Sequence, residues 1–164
     1  MNVLRAPRIL GRPRRRRSAG QTLVEFSLAL IPFLFLLMGT VDLGRGIYTN
    51  NGVAQAAREI ARVTSVHQCV GPCSSATWSA ETLAVVNTQK QLVPGLATSG
   101  ITITCTDITD TALTVAAGEF CPSGEYIRVT TSASFSVVTP LLPVPNPLTF
   151  SSTAHVQTTQ IQVP

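Results

Sequence analysis

Apolar and polar positions fall along the chain in three textures. Residues 23–41 read LVEFSLALIPFLFLLMGTV, with one formal charge, Glu25, and apolar side chains on every side of a helix. At ~1.5 Å per residue such a helix is roughly 28 Å long, close to the hydrocarbon thickness of a bilayer. The pattern therefore predicts a membrane-inserting helix; a buried core helix is the bland alternative. Pro32 is expected to kink it and to leave one carbonyl without its donor. Membrane helices tolerate such a loss because neighbouring helices can repair it.

The second texture is helical but half polar. Ile47, Ala54, Ala57, Ala61 and Thr64 recur at helical spacing, and alanine is the best helix former. This predicts a stalk helix ending near Val66, with Asn50-Asn51-Gly52 as a point where it breaks or restarts. The small side chains of Ala54, Ala56, Ala57 and Ala61 permit close approach of another element, either this chain's own sheet or a neighbouring subunit. Glu59 and Arg62 are i,i+3 neighbours able to pair, and Arg58 and Arg62 mark a solvated face.

The third texture alternates. Residues 78–92 predict a short helix started by Thr77 or Ser79 and stopped by Pro94-Gly95. Runs rich in Ile, Val and Thr predict strands at 101–106, 112–116, 126–138 and 148–163. Four prolines within 140–147 make that stretch a loop or extended crossover. The fold class is α+β: a single N-terminal transmembrane helix extending into a stalk helix, then a small, mainly antiparallel sheet domain. The expected domains are a leader at 1–20, the transmembrane and stalk helix at 21–66, and an α+β domain at 67–164.

Charge changes the picture. The 164 residues are 45% hydrophobic and only 12% charged, with a formal net charge of +4 and a mean hydropathy of +0.29. Seven of the 12 basic residues lie in the first 17: Arg5, Arg8, Arg12, Arg14, Arg15, Arg16 and Arg17. The rest of the chain carries five basic and all eight acidic residues, a net of −3. The pI near 9.2 therefore describes a short leader and argues against a nucleic-acid binder. Read alone, the leader could be a basic arm for nucleic acid or anionic lipid, or a twin-arginine signal, which lacks its usual continuation. Placed before the apolar run, it orients the run with its N-terminus in the cytoplasm. A cleaved secretory signal is disfavoured, because the run is long and no A-x-A-like site follows it. Glu25, near the cytoplasmic end, is either a snorkelling surface acid or a carboxylate that pairs with a positive group inside an assembly of helices.

These residues carry a resemblance. Ser18-Ala19-Gly20-Gln21-Thr22-Leu23-Val24-Glu25-Phe26-Ser27-Leu28 resembles the processing site of type IV pilin-like proteins, and more closely the TadE-like family of the tight-adherence (Flp-type) pilus machinery. Pro32, the exit motif Val41-Asp42-Leu43-Gly44-Arg45 and the Ala54-x-x-Ala57-Arg58-Glu59-x-Ala61-Arg62 pattern extend it over residues 18–62. Thr139-Pro140-Leu141-Leu142 and the segment from Leu148 to Ala154 resemble the family's tail more weakly, and the resemblance does not extend over 63–138. The resemblance implies cleavage after Gly20 by a membrane-embedded prepilin peptidase, leaving Gln21 as the mature N-terminus. It implies that Glu25 pairs with the freed amine of a neighbouring subunit. Gln21 departs from the Phe or Met of type IV pilins but suits the TadE-like subgroup.

Cys69, Cys73, Cys105 and Cys121 all follow the apolar run, so the expected topology places them outside the cytoplasm, where disulfides persist. Four cysteines allow three pairings. Cys69–Cys73 is favoured as a tight loop and Cys105–Cys121 as a link between candidate strands. Zinc is the competing reading, weakened by the spacing and by His67 and His155 lying apart. Gly71-Pro72-Cys73 is one residue too widely spaced from Cys69 for a thioredoxin-type site. No H-E-x-x-H, G-x-S-x-G or P-loop motif occurs, and Asp107 and Asp110 flank an expected turn. The sequence thus implies no enzyme, no cofactor or metal, and neither nucleic acid nor small-molecule substrate. The resemblance implies a TadE-like, membrane-anchored minor pseudopilin, with its C-terminal domain expected outside. The partners that the resemblance implies are the membrane, the prepilin peptidase, other pilin-like subunits and pilus platform proteins. The alternatives are a single-pass envelope protein acting as a surface-binding module or adhesin, and a secreted enzyme whose mature chain starts near Asp42.

Overall fold

A computed structural model describes residues 19–139 and 147–158. Five elements follow one another: α1 (Ala19–Val66), α2 (Ala80–Leu92), β1 (Leu96–Thr106), β2 (Tyr126–Phe135) and β3 (Leu148–Gln157). The architecture is the α+β arrangement anticipated from the pattern, with a long apolar N-terminal helix, a short helix and a three-stranded antiparallel sheet. By internal contacts the chain separates into two units, Met1–Leu37 and Met38–Pro164.

In the first unit every described residue from Gly20 to Leu37 is exposed. The helix carrying it is, among the described residues, the one long and apolar enough to cross a membrane. Pro32 lies inside it and has no N–H to give the Leu28 carbonyl.

The second unit is built on the outer part of α1. That helix does not break at Asn50-Asn51-Gly52, contrary to the local expectation. Tertiary contact outweighs propensity there. Gly52 lies against Val93, whose Cγ2 would be 3.1 Å from any added Cβ, and Val53 next to it is fully buried. Glycine costs the helix about 1 kcal/mol against alanine, and here it lets the α2–β1 connection come close.

Ser79 caps α2, its hydroxyl accepting from the Thr82 N–H at 3.1 Å. Trp78 stays outside the helix. Thr77 instead closes the preceding loop, accepting from Ser74 N at 2.9 Å and donating to the Pro72 carbonyl at 2.8 Å. At Gly95 the chain turns with φ +80°, and a Cβ there would run into the Ser134 carbonyl.

The sheet is a meander ordered β1-β2-β3 with β2 in the middle. Strand β1 begins five residues before the expected start at Ile101. Its register slips between Leu96, which pairs with Ala133, and Ile101, which pairs with Thr131. That irregularity hides its first half from a period-two reading. Strand β2 ends at Phe135, not Val138, because the Val138 and Thr139 N–H groups go to a carboxylate on α1. Residues 112–116 form no strand; Thr106 and Ala112 make a single bridge and Leu113 N–H donates to Cys105 O at 2.8 Å. Leu113 and Val115 still pack against the core, so the alternation reflects burial without a ladder. Strand β3 is described to Gln157; the expected extension over 159–163, and the 140–146 part of the proline-rich stretch, lie outside the described residues, as does the leader before Ala19.

The core forms between one stripe of α1 and one sheet face. Val53, Ala56, Ala57, Ile60 and Ala61 meet Ile101, Ile103, Ile127, Val129 and Ala133, with Val86 from α2. Ile60, Ile103 and Ile127 are among the largest fully buried side chains, each contributing about 1.5–3 kcal/mol. The alanines let β2 approach until the buried Thr131 hydroxyl donates to the Val53 carbonyl at 2.9 Å. The element accommodated by the small residues is thus the chain's own sheet.

Candidate functional site

Gly20, Gln21 and Glu25 lie on the first turns of α1, all exposed. Gln21 Nε2 donates to Glu25 Oε1 at 3.2 Å, one helical turn on, so the structure brings this pair together on one face. A Cβ on Gly20 would meet nothing within 4 Å; packing within the chain gives no reason for glycine there. Around them Leu23, Val24, Phe26 and Leu28 are 64–75% exposed, an apolar surface on every side of the helix.

The four cysteines lie in the second unit and form two disulfides, Cys69–Cys73 and Cys105–Cys121. The first closes the loop after α1; the second fastens the end of β1 to the segment before β2. Among the described residues no three His, Cys, Asp or Glu side chains are grouped as a metal ion would require. Asp107 organises its own turn, its Oδ1 accepting from Thr109 N, Thr109 Oγ1 and Thr111 N at 2.7–2.8 Å. The Thr109 hydroxyl, then the Thr111 and Thr109 N–H groups, hold its carboxyl below the usual value despite desolvation. Asp110, at φ +65°, pairs with Arg128 at 3.1 Å.

The most organised polar feature was not singled out as a site in the sequence. Asp42, one residue past the apolar run, is 5% exposed. Its Oδ2 accepts from Thr139 Oγ1 at 2.6 Å, Thr139 N at 2.8 Å and Val138 N at 3.1 Å. Arg45, one turn on, meets its Oδ1 at 3.3 Å. The Thr139 hydroxyl, with the two N–H groups and Arg45, holds the Asp42 carboxyl below its ordinary value despite desolvation. Asp42 thus clasps the chain leaving β2 onto α1. Both ends of the clasp lie in segments carrying the resemblance, but a separation of 97 residues hides the contact from a linear reading.

Beside the clasp runs an apolar groove of about 590 Å³, walled by Gly39, Leu43, Gly46 and Ile47 of α1 and by Phe135 and Phe150 of the sheet. The two rings lie 5.7 Å apart and face the bare backbone of Gly46. The Arg45 guanidinium sits 5.3 Å from the Phe135 ring centroid.

Fold and site together define a small α+β protein with, among the described residues, one candidate membrane helix near the N-terminus. Residues 20–62 match the family model described as TadE-like protein, so this segment is TadE-like, as its motifs imply. No curated relative and no solved structure matches the chain.

Proposed function

We propose that the protein is a membrane-anchored minor pseudopilin of a tight-adherence pilus or related secretion system, acting as an assembly component and not as an enzyme. The observation that carries this reading is the wholly exposed apolar helix from Gly20 to Leu37 within a TadE-like match over 20–62.

The mechanism is physical. The seven leader arginines keep the N-terminus in the cytoplasm and leave the disulfide-bearing domain outside. A prepilin peptidase cuts after Gly20 and frees the amine of Gln21. Glu25, at the cytoplasmic end of the span, meets the amine of a neighbouring subunit and sets the register between helices. A carboxylate near hydrocarbon is costly unless paired, so the pair favours the aligned assembly over the lone subunit. The apolar helix then packs against like helices and pilus platform proteins.

Mass spectrometry of the protein purified from membranes tests the cut: loss of residues 1–20 is expected. An intact leader in cells that assemble pili normally would overturn it. Glu25→Ala should leave membrane insertion intact and reduce pilus assembly; unchanged assembly would remove the role given to Glu25.

A further inference from the structure

We propose that the groove between the membrane end of the folded unit's helix and its sheet is a lipid-docking surface, so that the sheet's Phe135–Phe150 corner rests in the interfacial layer of the bilayer. The proposal rests on the reading that residues 23–41 cross a membrane.

The argument is one of continuity and depth. The groove begins at Gly39, inside the last turn of the apolar run, and this turn belongs to the folded unit Met38–Pro164. Along a helix, Leu43 lies ~3 Å and Gly46 ~7.5 Å past Val41. The interfacial layer is roughly 5–7 Å deep on each side of the hydrocarbon. The walls of the groove therefore stand where headgroups meet acyl chains. They have the chemistry of that layer. Leu43 and Ile47 are 64% and 54% exposed, and Phe135 and Phe150 present their rings at the level of Gly46.

The two charged groups beside it are satisfied or placed for a headgroup. The Asp42 carboxylate is turned inward onto Val138 and Thr139, which removes an anion from the surface. Arg45 keeps its side chain 49% exposed, able to reach a phosphate while its flat face covers Phe135. Aqueous exposure of this surface would be costly, at roughly 25 cal/mol per Å² of apolar area; burial among acyl chains and aromatic contact with the headgroup layer remove that cost.

Depth-dependent quenching tests the proposal on the full-length protein in phosphatidylcholine vesicles, with or without bromine near the headgroup end of one acyl chain. The chain has one tryptophan, Trp78, before α2, which is joined to α1 through Thr82 and Thr64, ~35 Å along the helix from Val41. Native Trp78 is the distal reference. In a Trp78→Phe background, Phe33→Trp reports the span, Val137→Trp reports the groove, and Val138→Trp reports the chain beside it. Val138 is 67% exposed, so its variant gives a reading even if Val137→Trp fails to fold. The expected result is quenching at 137 or 138 more than half that at 33, with little at 78. Strong quenching at 33 with 137 and 138 at the level of Trp78 would overturn the proposal and leave the span intact; the groove would then be taken by protein, whether residues 140–146 or a second copy. No quenching at 33 would overturn the membrane reading, and the docking surface with it.

Discussion

Asp42 is the residue through which α1 and the chain after β2 are fastened, and its protonation decides whether that fastening holds. A carboxylate accepting two N–H groups and a hydroxyl is a better acceptor than the neutral acid, so the folded state lowers its pKa below 3.8. Asp107, accepting from Thr109 and Thr111, is shifted the same way from 3.8. When the folded pKa is the lower one, the unfolded chain binds more protons between the two values, and stability rises with pH there. The contribution of both residues is complete above their ordinary pKa and is lost as pH falls through the lowered folded values. Thermal unfolding of the detergent-solubilised protein, followed by circular dichroism, should therefore show a Tm that is flat above about pH 5 and falls below pH 4. Asp42→Asn should lower the Tm at neutral pH and flatten part of the acid limb, and adding Asp107→Asn should flatten more. An unchanged acid limb in the double variant would show that other groups set it.

At the scale of elements, the fold hangs on how closely α1 and the sheet approach. Ala57 is fully buried with β2 held across it by the Thr131–Val53 bond. Ala57→Leu should destabilise the protein by about 1–3 kcal/mol through overpacking, readable in urea unfolding of the solubilised protein. Replacing both Cys105 and Cys121 by Ser opens a loop whose closure is worth about 3 kcal/mol in the chain-entropy treatment, and should lower the urea midpoint correspondingly. Elements set by period and local chemistry were legible in advance: the apolar run, the strand beginning at Tyr126, a start of α2 at Thr77 or Ser79, and the favoured cysteine pairs that the structure joins. Features set by distant partners were not. The helix passes through Asn50-Asn51-Gly52 because Val93 packs there. The first half of β1 escaped notice because its register slips, and β2 stops where Asp42 takes its donors. The candidate site divides in the same way. Gly20, Gln21 and Glu25 fall within six consecutive residues of one helix and are readable as a motif, whereas the Asp42 clasp joins residues 97 positions apart.

For the whole molecule, charge would separate the precursor from the product of the proposed cleavage. Intact, it carries +4 with a pI near 9.2; without residues 1–20 its side chains sum to −3, since seven arginines leave and no acid does. The proposed cleavage would thus invert the sign of the protein, and isoelectric focusing of membrane extracts should place the processed form on the acid side of neutrality and the precursor far to the basic side. Gly20→Leu makes the comparison specific. A Cβ at this position meets nothing within 4 Å and leucine favours helix over glycine, so the variant should fold and insert as the parent does. If recognition by the peptidase requires glycine there, the variant accumulates at the basic position while the parent moves to the acidic one. A variant that still migrates as the acidic form would take Gly20 out of the processing site. A parent found only at the basic position, in membranes where pili are being built, would mean that the leader stays and that the arginines serve the mature protein.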